Sequence, residues 1–157
     1  MELLAAIIAF GGYDVPVSRL IDALWPDADG DTAHENFKKS LARLRKLLAV
    51  DDVIQWQDGK LSLNRNLCWV DALVFEKKAK QGDARAIVVY KGPFLGPGDI
   101  PAWAVSPRDR MQARFISLVK HCDNPPADTD QSKNAALVPQ ETVTRTLESK
   151  SAAGSNG

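Results

Sequence analysis

Positively charged side chains are concentrated in one short stretch of this sequence. The segment from Glu35 to Lys46 holds five cationic residues and one acidic residue, which gives a local net charge of +4. The cationic residues are Lys38, Lys39, Arg43, Arg45 and Lys46. Lysine and arginine bind phosphate oxygens through charge-assisted hydrogen bonds, so the cluster indicates a polyanion as partner. The competing interpretation is that these cations only solvate the outer face of a helix.

The total charge does not exclude such a partner. The chain has 157 residues, with 20 basic and 20 acidic side chains, and is formally neutral at pH 7. The position of the charges matters more for polyanion binding than their sum. Acidic residues gather outside the basic segment, at Asp27, Asp29, Asp31, Asp51 and Asp52 and toward the C-terminus. A neutral total predicts modest non-specific affinity for nucleic acid.

The basic segment has the apolar periodicity of an amphipathic helix. Large apolar side chains recur at intervals of four, three and four residues, at Phe37, Leu41, Leu44 and Leu48. This spacing places them on one side of an α-helix, with most of the cations on the other side. Thr32 and Glu35 have the spacing of a capping box. The sequence therefore predicts a helix that begins at Thr32 and ends near Leu48.

Further elements are predicted on both sides of the basic helix. The apolar run Leu3 to Phe10 and the amphipathic segment Val17 to Trp25 predict two helices before it. After it, alternating segments at 53–57 and 60–63 flank Asp58-Gly59, a dipeptide that favours a two-residue hairpin turn. The predicted fold class is mainly α with a small β-hairpin. The order of helix, helix, basic helix and hairpin is that of a winged helix, a helix-turn-helix followed by a wing.

A winged helix places its third helix in the major groove of double-stranded DNA and its hairpin against the backbone. The N-terminal half of the third helix reaches deepest, so Asn36 and Lys39 are the predicted contacts to base edges. Phosphate contacts are predicted from Arg43, Arg45 and Lys46, and Lys38 is also predicted to contact DNA. The predicted residues of the wing are Gln55, Gln57, Lys60 and Arg65, with Lys60 as its DNA contact. His34, near the start of the helix, either faces phosphate or is a surface residue beside the cap.

Two longer stretches resemble a known pair of domains. The first resembles the OmpR/PhoB-type winged-helix DNA-binding domain of bacterial transcriptional activators; it reads VPVSRLIDALWPDADGDTAHENFKKSLARLRKLL and continues into the hairpin VIQWQDGKLSL. The second resembles the linker and opening helices of the bacterial transcriptional activator domain; it comprises CWVDALVFEKKAKQ and YKGPFLGPGDIPAWAVSPRDRMQARFISLV. This pairing is found in antibiotic-regulatory proteins and in large regulators with ATPase or tetratricopeptide regions. The resemblance covers roughly residues 1–121.

The resemblance implies the domain organisation. Residues 1–66 are expected to form the winged-helix domain, without the antiparallel sheet that precedes it in the family. Residues 67–121 are expected to form a partial helical, tetratricopeptide-like activator domain. On this expectation the chain is truncated at both ends. Residues 122–157 are poor in large apolar residues and rich in Pro, Ser, Thr and Ala, a composition that predicts a disordered tail.

Two helices are predicted in the second part of the chain. One covers residues 71–80. The other is predicted to begin at Pro107 and to continue over Arg108–Lys120, because proline is favoured at the first position of a helix. Its apolar side chains recur on one side, so packing is its expected role.

Three aspartates, Asp27, Asp29 and Asp31, lie in the loop before the basic helix. The resemblance implies that this loop contacts RNA polymerase, and an acidic loop suits a basic protein surface. The alternative is an ordinary turn, in which Asp and Gly are common. A calcium site is not indicated, because an EF-hand loop needs about twelve positions that end in a glutamate. No metal site is predicted.

The sequence has no arrangement typical of an enzyme or a cofactor site. Ser18 and Ser106 lack a recognisable histidine partner for nucleophilic catalysis. Cys68 and Cys122 lie far apart and are expected to be reduced thiols. The longest apolar run, Leu3 to Phe10, is shorter than the roughly 20 residues that a membrane span needs. A cytoplasmic protein without a cofactor is predicted.

These observations predict a DNA-binding regulator of transcription. The alternative is a protein-interaction module, or a truncated paralogue that no longer binds DNA. In that case exposed apolar surface would favour a homo-oligomer or another protein partner. The first hypothesis depends on the basic helix, and the second depends on the helix predicted over 108–120.

Overall fold

The computed structural model describes residues 1–123, apart from the side chain of Asp51. These residues form a mainly helical structure with a small antiparallel sheet, as predicted. The helices are α1 (Glu2–Ala9), α2 (Val17–Leu24), α3 (Gly30–Leu48), α4 (Asp71–Lys80), α5 (Ala86–Val89) and α6 (Ala102–Asp123). The strands are β1 (Val15–Pro16), β2 (Ile54–Gln57) and β3 (Lys60–Leu63). None of the described helices is long and apolar enough to cross a membrane.

The disorder predicted over 122–157 falls mainly outside the described residues. Cys122 and Asp123, the first two residues of that range, are the end of α6 instead. The boundary of the predicted tail is therefore corrected to lie after Asp123. The helix continues past the predicted boundary because residues of its earlier turns, such as Leu118, are buried and hold it in place.

The sheet has three antiparallel strands in the order β1-β3-β2. The predicted hairpin is confirmed, since β2 pairs with β3 and Ile54 lies opposite Leu63. Asp58 and Gly59 form its turn with φ angles of +50° and +71°. Both lie in the left-handed region that a two-residue type I′ turn requires. The sequence does not predict β1, because two residues, one of them Pro16, carry no readable alternation.

The first hydrophobic core lies among α1, α2, α3 and the sheet. Its largest fully buried side chains are Phe37 of α3, Leu20 of α2, Ile7 of α1, Ile54 and Leu61 of the hairpin, and Val15 of β1. Phe37, Leu41 and Leu44 are buried as the periodicity predicts, and Leu48 at the end of α3 is half-buried. Packing against both preceding helices and the sheet fixes the face that α3 turns to solvent.

A second hydrophobic core lies among α4, α5 and α6. It is formed by Phe75, Ala86, Met111 and Leu118. Beside it, the ring of Tyr90 stacks on the ring of Phe115 with 4.3 Å between centroids. The helix predicted over 71–80 is confirmed as α4, which contributes Phe75 to this core.

The start of α6 differs from the prediction. The helix begins at Ala102 and contains Pro107 in its second turn, so the prediction that Pro107 begins it is wrong. Proline inside a helix removes one backbone hydrogen bond. Packing outweighs this loss, because Ala104 is fully buried and the Trp103 ring packs on the Phe10 ring with 6.4 Å between centroids.

The start of α3 also differs from the prediction. The helix begins at Gly30, and Asp29 is its N-cap, whose Oδ1 accepts a hydrogen bond from the Thr32 N–H at 3.0 Å. The predicted capping box of Thr32 and Glu35 is therefore wrong. Asp29 has the extended backbone of an N-cap, with φ −61° and ψ 157°. Thr32 already lies inside the helix, and Glu35 pairs with Lys38.

A cluster of arginine and glutamate joins the two cores. Arg110 of α6 donates from Nε to Glu76 of α4 at 3.1 Å, and from Nη2 to the carbonyl of Ala9 at the end of α1 at 3.3 Å. Arg114 also pairs with Glu76, whose side chain is only 12% exposed. Residues 1–66 and 67–121 therefore pack together as parts of one compact unit.

Asp29→Ala is expected to lower the midpoint of thermal unfolding by a few degrees, because the Thr32 N–H loses its acceptor. The hydrogen bond from the Thr32 N–H lowers the pKa of Asp29 below its usual value of 3.8. The stability that the charged cap contributes is therefore present in full above about pH 4 and is lost as the pH falls through the lowered pKa. Thermal unfolding followed by circular dichroism at several pH values measures both effects.

Asp27→Ala is the matched control, since Asp27 is an exposed aspartate of the same loop. It is expected to leave the unfolding midpoint unchanged. An equal loss in both variants would contradict the assignment of Asp29 as the cap. A loss from Asp29→Ala that persists at low pH would contradict the role of its charge.

Candidate functional site

One side of α3 carries cations that face solvent. Lys39, Arg43 and Lys46 are exposed, and they lie across the helix from the buried Phe37 and Leu41. These three cationic residues are called the basic face. Among the described residues, no carboxylate oxygen lies within 4.0 Å of their charged nitrogens. The basic face therefore presents positive charge that this part of the chain does not pair.

Lys38 lies at the margin of the basic face. Its ammonium is 3.4 Å from Oε1 of Glu35, and the two side chains are 59% and 58% exposed. Exposed ion pairs of this kind contribute about 0–1 kcal/mol. An external anion can therefore replace Glu35 as the partner of Lys38 at little cost.

Arg45 is directed away from the basic face. Its Nη2 donates to the backbone carbonyl of Ile54 at 3.1 Å, and its Nε is buried without a hydrogen-bond partner among the described residues. The side chain thus joins α3 to the start of β2. The phase of the helix explains this placement, because at about 100° per residue Arg45 lies about 80° from Phe37 and Lys46 about 180°. The direction of Arg45 could therefore be predicted from its position in the helix, but not from the number of cations in the segment.

Two polar side chains lie near the start of α3. Asn36 is half-buried one turn before Lys39, in the row that continues to Arg43. His34 Nδ1 lies 2.9 Å from the carbonyl oxygen of Gly30. A carbonyl oxygen only accepts, so Nδ1 is the donor in this contact. His34 thus binds the first turn of its own helix, in agreement with the interpretation of a surface residue beside the cap.

The hairpin is packed against α3. Lys60, Gln55 and Gln57 are exposed on its strands. Trp56 of β2 is 45% exposed, and its ring meets the Phe37 ring edge to face with 5.4 Å between centroids. The hairpin and α3 therefore share an aromatic contact in addition to the hydrogen bond to the strand, and this contact fixes Lys60 relative to the basic face.

Arg65, predicted as a residue of the wing, stacks on an aromatic ring. Its guanidinium carbon is 3.6 Å from the centroid of the Tyr13 ring. Tyr13 precedes β1, the edge strand that pairs with β3 of the hairpin. A stacked guanidinium and aromatic ring stabilise each other, so Arg65 supports the loop before β1.

The three aspartates at the start of α3 have two different environments, and Asp31 lies in the first turn of the helix, not in the loop before it as predicted. Asp27, Asp29 and Asp31 are all exposed. Asp29 is the N-cap, and the hydrogen bond from Thr32 lowers its pKa. Asp27 and Asp31 face solvent on either side of it. Within the described residues, no group of three or more His, Cys, Asp or Glu is arranged to hold a metal ion.

The sequence matches no protein-family profile and no curated protein. What the protein binds is therefore inferred from the charges and the packing around α3. A helix that is anchored on its apolar side and carries unpaired cations on the other side can bind an extended anion without a change in its own core. Phosphate groups along a nucleic acid present such an anion.

Arg45→Met is expected to lower the free energy of unfolding by about 1–2 kcal/mol, because it removes a hydrogen bond from a charged group and keeps the apolar stem. Lys46→Met is the matched control at the next position, where the side chain is exposed. It is expected to change stability by less than about 0.5 kcal/mol. Urea unfolding of both variants measures the difference. Equal effects would mean that Arg45 does not hold the hairpin against α3.

Proposed function

We propose that this protein binds double-stranded DNA and regulates transcription, with residues 1–66 as an OmpR/PhoB-type winged helix and residues 67–121 as the start of a bacterial transcriptional activator domain. The basic face of α3 carries the proposal. It consists of exposed cations without a described carboxylate partner, on a helix that is anchored by its opposite side. The family resemblance of the sequence supports the same partner. No catalytic step is proposed.

The spacing of the basic face suits a DNA groove. Lys39, Arg43 and Lys46 extend over about 10 Å of the helix axis on one side. This length is comparable with the width of the major groove, which is about 12 Å. The cations of the basic face can therefore reach phosphates at the edge of the groove. Asn36 lies one turn nearer the N-terminus, the end that contacts base edges in helix-turn-helix proteins. We assign base contacts to Asn36 and Lys39, and phosphate contacts to Arg43 and Lys46 with Lys38 beside them.

Arg45 and the hairpin have a positioning role in this proposal. The guanidinium of Arg45 is bound to the Ile54 carbonyl, so Arg45 is left out of the DNA contacts. It holds the hairpin beside α3, as does the packing of Trp56 on Phe37. Lys60, directly after the hairpin turn, then contacts the DNA backbone as the wing. Because the hairpin and α3 share these contacts, the groove contact and the wing contact keep a fixed separation.

The loop before α3, together with the first turn of the helix, is proposed as a contact to RNA polymerase. The resemblance is the source of this proposal, and the exposure of Asp27 and Asp31 supports it. Acidic side chains steer association with a basic protein surface. In a reconstituted transcription assay, Asp27→Ala is expected to lower the output of a dependent promoter and to change DNA affinity little. Unchanged output would remove this loop from the proposal.

Fluorescence anisotropy of the full chain with a labelled random duplex, across a salt series, tests the DNA proposal. Log affinity is expected to fall linearly with log salt concentration, by about 0.9 for each phosphate contact. Arg43→Glu is expected to weaken binding by roughly tenfold or more and to reduce this slope by about one. Lys39→Glu is expected to weaken binding as well. Both variants should keep the native circular dichroism spectrum, because both side chains are exposed.

Lys77→Glu is the matched control, since Lys77 is an exposed cation on α4 and lies outside α3 and the hairpin. It is expected to keep most of the DNA affinity. A loss as large as that of Arg43→Glu would show that the basic face is not the binding surface. Binding that does not depend on salt, or no binding by a folded chain, would favour a protein-interaction module instead.

A further inference from the structure

A cleft of about 350 Å³ opens between the first turn of α4 and the segment 89–97 that leads toward α6. Its walls are mainly apolar and include Ile8, Phe75, Val89, Phe94 and Met111. Protein interiors hold few voids larger than a water molecule, and an apolar cavity of about 150 Å³ is enough to bind benzene. Ligand pockets typically measure about 300–1,000 Å³. The cleft therefore has the size and lining of a site for a small molecule.

One wall of the cleft is a loop that α6 holds in place. Arg108 donates to the carbonyl of Gly98 at 3.1 Å and also to the carbonyl of Gly96. Leu95, which lines the cleft, has a φ of +64°. This left-handed conformation is strained for a bulky residue, and such strain persists where the surroundings fix the backbone. The loop is therefore preorganised, with an apolar side chain at the edge of the cleft.

Two charged side chains line the cleft, and they differ in their partners. Oδ1 of Asp71 accepts a hydrogen bond from the Ala72 N–H at 2.7 Å, in the first turn of α4, where the helix dipole favours a negative charge. Lys91 is exposed, and in the described part of the chain no carboxylate oxygen lies within 4.0 Å of its ammonium. The cleft therefore combines apolar walls with a lysine that no described carboxylate pairs and an aspartate whose charge is held by the first turn of α4.

We propose that this cleft binds a planar aromatic carboxylate, with the rings against the partly exposed Tyr90 and Phe94 and the carboxylate paired with Lys91. Tyr90 and Phe94 both line the cleft and are partly exposed, and the Tyr90 ring packs on the buried Phe75 ring with 5.0 Å between centroids. Aromatic rings stack on other aromatic rings or pack against them edge to face, so this wall favours an aromatic ligand more than an aliphatic ligand of equal volume. The site is separate from the basic face and does not depend on DNA binding.

Isothermal titration calorimetry measures the affinity of the full chain for 1-naphthoate and tests the proposal. The same measurement with 1-naphthalenemethanol gives the affinity for a neutral analogue. Saturable binding of naphthoate is expected. Lys91→Met is expected to weaken naphthoate binding about tenfold, because the naphthoate carboxylate pairs with the Lys91 ammonium. The affinity for naphthalenemethanol is expected to stay unchanged, because this compound has no carboxylate. Ala72→Leu adds a larger side chain to the wall and is expected to weaken binding of both compounds.

Lys77→Met is the matched control, an exposed lysine of α4 outside the cleft, and is expected to bind both compounds normally. Thermal unfolding of each variant separates loss of the fold from loss of the site. If Ala72→Leu does not fold, Lys91→Met decides the test. Absence of saturable binding, or binding that a folded Ala72→Leu leaves unchanged, overturns the proposal. Weakening by Ala72→Leu without an effect of Lys91→Met overturns the assignment of an anionic ligand.

Discussion

Burial of Phe37 is the interaction on which the rest of the structure depends. Its ring is fully buried among α1, α2 and the hairpin, and the edge-to-face contact with Trp56 closes one side of it. Removal of a buried aromatic ring costs about 3–5 kcal/mol, a large part of the roughly 5–15 kcal/mol that stabilises a domain. Because the backbone of a helix is rigid, the orientation of Phe37 sets the direction of every other side chain on α3. Lys46 faces solvent and Arg45 meets the hairpin for this reason.

The second core is held to the first through α1. Glu76 forms ion pairs with both Arg110 and Arg114. Arg110 also donates a hydrogen bond to the carbonyl of Ala9, the last residue of α1. A carboxylate with so little exposure requires a cationic partner, because a charge held out of water without one is not compensated. On α1 itself, Ile7 belongs to the first core and Ile8 lines the cleft beside the second core. This helix is therefore the element that both halves of the described chain share.

Structural features that depend only on residues close together in the chain could be predicted from the sequence. The recurrence of Phe37, Leu41 and Leu44 and the turn at Asp58-Gly59 belong to this class, and both are found as expected. The cap of α3 could not be resolved in this way, because Asp29 and Thr32 are both good capping residues and the backbone before the helix decides between them. The start of α6 depended on long-range contacts of Trp103 and Ala104, which outweigh the local preference of Pro107.

The candidate site shows the same division. The positions of the cations on α3 follow from the sequence, and the inward direction of Arg45 follows from the helix phase once the apolar side is known. The stacking of Arg65 on Tyr13 joins residues that are far apart in the chain, so no local sequence pattern predicts it. The cleft beside α4 likewise depends on segments that only the fold brings together.

The short outer strand has a consequence for how this protein meets its own copies. β1 lies at the edge of the sheet, has two residues, and ends in Pro16, which has no N–H to donate. Open strand edges act as templates for strands of other molecules, and natural proteins block them with short strands and prolines. At this edge the sheet cannot be extended, so the described chain resists edge-to-edge aggregation there without a covering helix.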